Sequence, residues 1–392
     1  MKIVHVCICG IFCEDYAYQE NLLTKYHRKM GHEVTVIAPA YVKLNAAGMI
    51  QNDHTVEKIL PDGIKVIRLK PCIKSYKLNA HLHLFHNLKK TILAESPDLL
   101  FVHGVSSFDY LSLPAVKRKN PKMHIVFDNH GDRYNSCRNY LSRLLNGWIY
   151  RYLLVRRLIP AADRFYGVTP ARCRFLHDVY GVPEEKIELL VMGADDERMQ
   201  LERRSLLRAE VRAEYGVSEE DFLIVTGGKI DLKKNIHLLA EAVKRLDIPE
   251  IRLLIFGSIT GELQDYFNNL ESDRIVLVGW VRSDAVYRYF YAADLVVFPG
   301  LHSVLWEQAV AAKTPCAVSD IAGFHHVDFN GNCLFLENNT VDYYREIIAG
   351  VYADPSRRRI LKENADSEQS RQFLYSRIAR KVLDDLESEK QP

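Results

Sequence analysis

Residues 222–257 read FLIVTGGKIDLKKNIHLLAEAVKRLDIPEIRLLIFG. An apolar strand-like run stops at Gly227-Gly228, a helical run follows over 235–246, and a second apolar strand begins at Ile251. Strand, glycine turn, helix and strand in this order predict a parallel βαβ unit. The alternation continues with helical stretches at 262–269, 284–292 and 304–313 between the apolar runs RIVLVGWV, DLVVFPG and PCAVSD.

The first half carries the same pattern. A strand over 3–8 and a helix over 18–30 are closed by Gly31, and HEVTVIAP follows as the next strand. Further strands are expected at IKVIRL, PDLLFVHG, HIVFDNH and RFYGVTP, with helical stretches at 81–94 and 138–158. Short apolar strands alternating with helices imply an α/β fold with doubly wound parallel sheets. Two Rossmann-like halves facing each other across a cleft would hold a ligand at the carboxyl ends of their strands. The expected boundaries are a first Rossmann-like domain over 1–195, a second over 196–375 and a helical tail over 376–392. The charged segment 192–212 would make the connection.

A chain of 392 residues is long enough for two domains, and its net charge of +2 gives no global attraction to nucleic acid or anionic lipid. Eight cysteines show no CxxC spacing and read as reduced thiols of a cytoplasmic protein. No apolar run approaches the ~20 residues that span a bilayer. The start MKIVHVCICG reads as a strand and not as a signal peptide.

Two loops carry the chemistry of the second half. TGGKIDLKKN (226–235) turns on glycines and brings Lys229, Lys233 and Lys234 toward a helix start, which suits a diphosphate; a glycine turn with solvated lysines is the plainer reading. The P-loop spacing is absent. PGLHSVLWEQAVAAKTP (299–315) turns at Gly300, offers Ser303 as an N-cap and carries Glu307 one turn into the next helix. The paired His325-His326 invite a metal, but adjacent side chains point apart and no HExxH accompanies them, so no metal site is expected.

GGKIDLKKNIHLL, VGWV followed by YFYAADLVVFPG, and WEQAVAAKTPCAVSD resemble the donor half of the retaining GT-B glycosyltransferases of family 4. GHEVTVIAP and LLVMGAD resemble that family's acceptor-half strand and interdomain approach, and the similarity runs along essentially the whole chain. The resemblance implies that Lys229, where arginine is usual, and Lys234 clamp the donor diphosphate beside Gly228. It implies that Glu307 holds the nucleotide ribose, with Ser303, Val304, Gly323 and Phe324 lining the donor. It also implies that His130, from FDNHGDRYNS, reaches the donor sugar. The family's earlier glutamate would fall at Pro299 in a shortened turn, which leaves His302 as its substitute. His103, Glu14, Asp15 and Tyr16 are expected on the acceptor side.

The implied activity is a metal-independent, retaining hexosyl- or N-acetylhexosaminyltransferase. It would use a nucleotide-sugar co-substrate, UDP-linked, and no other cofactor. The acceptor would be a glycan or lipid-linked acceptor of bacterial surface polysaccharide synthesis. The Arg-, Trp- and Tyr-rich residues 138–160 suit peripheral contact with the cytoplasmic membrane leaflet, or core packing with a basic edge. A catalytically degenerate GT-B partner subunit and a sugar-nucleotide 2-epimerase remain as alternatives. No nucleic acid is expected as a partner.

Overall fold

Strand after strand is apolar on both faces. Leu99–His103 and Leu295–Phe298 are buried at every position, as parallel strands covered by helices on each side require. The computed structural model describes residues 1–10, 12–14, 16–44, 48–51, 54–73, 75, 78–79 and 82–388. His81, in the stretch expected to be helical, and Asp15, expected on the acceptor side, lie outside the described residues. The chain forms two units, Met1–Val191 with Ile378–Pro392, and Met192–Arg377.

The strands of the first unit are, in order, β1 (Lys2–Val6), β2 (Glu33–Pro39), β3 (Tyr41–Leu44), β4 (Gly48–Gln51) and β5 (Val56–Ile59). They continue with β6 (Lys65–Leu69), β7 (Leu99–His103), β8 (His124–Asn129), β9 (Arg164–Gly167) and β10 (Ile187–Leu189). The sheet order is β10-β9-β8-β7-β1-β2-β6-β5, and β5 alone pairs antiparallel within it; β3 and β4 form a separate antiparallel pair. The second unit holds β11 (Phe222–Ile230), β12 (Ile251–Ile259), β13 (Ile275–Gly279), β14 (Leu295–Phe298), β15 (Cys316–Ser319) and β16 (Cys333–Leu336). Its order is β13-β12-β11-β14-β15-β16, parallel throughout.

Three features depart from the sequence reading. Of the helix expected over 81–94, residues 83–87 are not helical and Leu88–Glu95 forms the later part. The segment expected as a connection packs into the second unit: its helix Arg204–Glu214 buries Val211, and Arg208 and Arg212 both pair with Asp294. The helix Tyr375–Ser388 is no independent tail, because from Ile378 onward it belongs to the first unit. There it buries Ile378, Ala379, Val382, Leu383 and Leu386, and Asp385 accepts a 2.9 Å hydrogen bond from Tyr166. All eight cysteines are free.

Candidate active site

In the second unit β11 is flanked by β12 and β14, so the strand order reverses between β11 and β14. Ligands of open parallel sheets bind at such a reversal, beyond the carboxyl ends of the strands. The glycines there are forced by close backbone approach. A Cβ on Gly257, at φ +124°, would meet the Gly228 carbonyl oxygen at 1.8 Å. One on Gly300 would lie 2.4 Å from both the Lys233 oxygen and the Lys234 Cα. The turn after β14 therefore rests directly on the Lys233-Lys234 backbone.

Side chains fasten the same contact. Lys234 Nζ donates to the carbonyls of Leu301 and His302, and Asn235 Nδ2 donates to the Pro299 carbonyl at 2.9 Å. Burial pulls the Lys234 ammonium down to about 8, against the opposing pull of Asp231. Lys229 differs: its side chain is 69% exposed and pairs with Asp231 at 3.3 Å. A small pocket here is lined by residues that include Thr226, Gly227, Lys234, Gly300, Ser303 and Trp306. The Thr226 hydroxyl and the Trp306 Nε1–H are buried in it without a hydrogen-bond partner among the described residues.

Glu307 lies in the helix Leu305–Ala311 and is fully buried. Its Oε1 receives His302 Nε2 at 2.8 Å and His326 Nε2 at 3.0 Å. Burial alone would raise this carboxyl; the two imidazoles outweigh it and hold it well below the usual carboxylate range. His302 thus faces Glu307, with its ring 4.7 Å from that of Phe324. Phe324 is delivered by the turn at Gly323, φ +89°. His326, weighed from the sequence with His325 as a metal pair and set aside, completes the group, while His325 turns away to Asp320 at 2.6 Å. The three donor atoms of His302, Glu307 and His326 lie within 4.8 Å of one another, the one set among the described residues spaced to hold a metal ion. Ser303 does not cap the helix: Val304 occupies the N-cap with no side-chain bond, and the Ser303 carbonyl accepts from Trp306 N at 3.0 Å.

In the first unit the strand order reverses between β1 and β7, and His103, Asp128 and His130 stand at the ends of β7 and β8. Asp128 is fully buried; its Oδ2 meets His103 Nδ1 at 2.7 Å and His130 Nε2 at 3.6 Å, and its Oδ1 accepts from Gly104 N. His130 is 38% exposed, and although burial opposes it, the Asp128 charge raises its imidazole above the ordinary range. His103, expected to line an acceptor, is buried, and both its ring nitrogens are engaged by Asp128 and His5. Glu14 is held by Lys58 at 2.7 Å and Arg68 at 2.9 Å, and the Tyr16 ring packs edge-on against Tyr18. A histidine inside the apolar run IVHV was the one sequence signal for the buried partner His5.

The profile described as Glycosyltransferase Family 4 matches residues 21–198, and that described as Glycosyl transferases group 1 matches residues 208–368. The chain belongs to the group 1 glycosyltransferases, family 4, of the GT-B fold. This glycosyltransferase is 23% identical over 364 residues to an uncharacterised glycosyltransferase of Methanocaldococcus jannaschii, covering 86% of this chain and 90% of that one. It is 23% identical over 303 residues to the alpha-galactosylglucosyldiacylglycerol synthase of Streptococcus pneumoniae, covering 74% and 78%. Among solved structures, HepE of Anabaena in complex with UDP superposes with a TM-score of 0.69 at 15% identity, covering 99% of this chain and 100% of that one.

Proposed function

We propose that this glycosyltransferase moves a sugar from a UDP-linked donor to a lipid-linked acceptor, with retention of anomeric configuration. The observation that carries the reading is the fastening of Lys234, Gly300 and the 299–303 turn at the strand reversal beyond β11 and β14. A diphosphate received there meets the Lys234 ammonium and the exposed Lys229. These groups oppose the charge that develops on the leaving diphosphate, where one well-placed donor contributes about 3–4 kcal/mol. The bond from the anomeric carbon to the diphosphate oxygen breaks, and its electron pair leaves with UDP. The acceptor oxygen bonds that carbon from the same face, and its proton passes to the departing phosphate. Glu307 takes the ribose and His130 the transferred sugar.

The acceptor class is supported by the surface of the first unit. Residues 133–162 contain Arg133, Arg138, Arg143, Arg151, Arg156 and Arg157 and no acidic residue. Tyr140, Leu141, Leu144, Trp148 and Tyr152 are exposed along the helical run from Tyr140 through the π-helical Leu145–Val155. Exposed aromatic and aliphatic side chains among arginines suit the headgroup region of an anionic membrane. The similar streptococcal enzyme is named for a diacylglycerol product. No helix of the described residues is long and apolar enough to cross a membrane.

Calorimetric titration with UDP, GDP, ADP and CMP tests the donor assignment. Preference for UDP is expected, with the affinity falling at least tenfold, about 1.4 kcal/mol, in Lys234→Ala. Absence of binding to every nucleotide overturns the reading and favours a degenerate partner subunit. Accumulation of an epimerised donor sugar favours the epimerase.

A further inference from the structure

A row of buried imidazoles crosses the first unit behind His130. His27 Nε2 lies 3.1 Å from the Ala379 carbonyl, and His27 Nδ1 lies 3.0 Å from His5 Nε2. His5 Nδ1 lies 3.0 Å from His103 Nε2, and His103 Nδ1 lies 2.7 Å from Asp128 Oδ2. His5 and His27 are fully buried, and His103 is 3% exposed. The row joins the helices Gln19–Lys29 and Tyr375–Ser388 to β1, β7 and β8.

Its two ends decide how many protons it holds. A backbone carbonyl and a carboxylate can only accept, and each contact between two imidazoles needs one proton. The four contacts therefore require four N–H protons, whereas three neutral imidazoles bring three. Starting from Ala379, His27 must donate to it and accept from His5, and His5 must accept from His103. His103 then needs a second proton to meet Asp128.

We propose that His27, His5 and His103 hold one shared excess proton against Asp128, and that Asp128, dividing its charge between this row and His130, sets the ionisation of His130. The three histidines are positioning residues. The part concerning sugar transfer rests on the role proposed above for His130; the proton count does not. Burial disfavours charge on His5 and His27, so the excess proton resides at the Asp128 end. Other groups bear on the row from every side. Glu20 and Arg172 act on His130, Tyr110, Cys7 and Cys9 lie within electrostatic reach of Asp128, and His32 and Arg380 act on His27.

Substitution of His27 separates the shared proton from mere packing. His27→Leu removes the contact that demands the fourth proton, and His103 can then meet Asp128 as a neutral imidazole. His27→Gln restores the demand, because its amide donates to Ala379 and accepts from His5. Nitrogen NMR of the full chain labelled at histidine reads the result without sugar transfer. Wild type is expected to show one buried imidazole protonated on both nitrogens at neutral pH, as the four contacts require. In His27→Leu that signal is lost and the His130 midpoint rises by about one unit, because no imidazolium of the row then shares the Asp128 charge. His27→Gln keeps the wild-type values, and the acid limb of the transfer pH profile follows the His130 midpoint in each variant. Three neutral imidazoles in wild type, or the same His130 midpoint in the Leu and Gln variants, overturns the proposal. Should His27→Leu not fold, the wild-type spectrum alone decides the proton count. A pH profile that ignores the His130 midpoint overturns the assigned role of His130 and leaves the count standing.

Discussion

Removal of the Glu307 carboxylate should destabilise the second unit well before it is read as a loss of activity. Oε1 of Glu307 accepts from two Nε2–H donors, on His302 and His326, whose side chains are 3% and 5% exposed. In Glu307→Ala both buried donors lose their acceptor. Breaking a buried charge pair costs about 3–5 kcal/mol, a figure that already contains the penalty for the partners left unpaired, so about 3–5 kcal/mol is expected in total. At about 2–4 °C per kcal/mol for a domain of this size, its melting transition should fall by about 6–20 °C. Glu307→Gln keeps an oxygen acceptor but loses the charge, and should fall about half as far.

The pH dependence has a definite sign. The folded carboxyl is held below its unfolded value, so its stabilisation is present above the unfolded pKa of about 4.3 and is lost as pH falls toward the folded value. The gap between wild type and Glu307→Gln should stay constant from pH 7 to about pH 5 and narrow below about pH 4. Calorimetry with urea titrations at each pH measures it. A melting point of Glu307→Ala within about 1 °C of wild type at pH 7 would refute the buried network.

Three further outcomes follow from the same geometry. Gly300→Ala must open a 2.4 Å contact with the Lys233-Lys234 backbone. It should cost about 1–3 kcal/mol and weaken UDP binding, and unchanged values in both unfolding and calorimetric titration would exclude the close approach. Lys234 is pulled down to about 8, so at pH 8 close to half of it is neutral, and a bound diphosphate should restore the ammonium. Titrations in buffers of different ionisation enthalpy should therefore show uptake of about half a proton per UDP, absent in Lys234→Ala. Pelleting with phosphatidylglycerol vesicles should fall at least tenfold in a Leu144→Ser, Trp148→Ser double variant, while phosphatidylcholine vesicles capture neither protein; equal capture of both proteins by the anionic vesicles would remove the membrane surface.

The sequence by itself determined the two α/β halves, because β-branched runs buried on both faces and helical periods between them are local signals. Gly227-Gly228 and the turn at Gly300 were readable for the same reason. A glycine where a strand ends admits a close backbone approach that any Cβ would block. Which lysine faces inward was not readable. Lys229 ends exposed beside Asp231, whereas the short 3-10 turn Leu232–Lys234, ended by Asn235 at φ +53°, sends Lys234 beneath the 299–303 turn. Nor could the sequence show that His326 belongs with Glu307, because His326 reaches it from a turn beyond β15. The histidine row joins positions as far apart as 27 and 379, and it becomes one hydrogen-bonded unit only when parallel strands and the C-terminal helix bring the rings within reach. Local propensity writes the elements, but proton positions and charge partners depend on contacts between residues distant in the chain, which only the folded structure brings together.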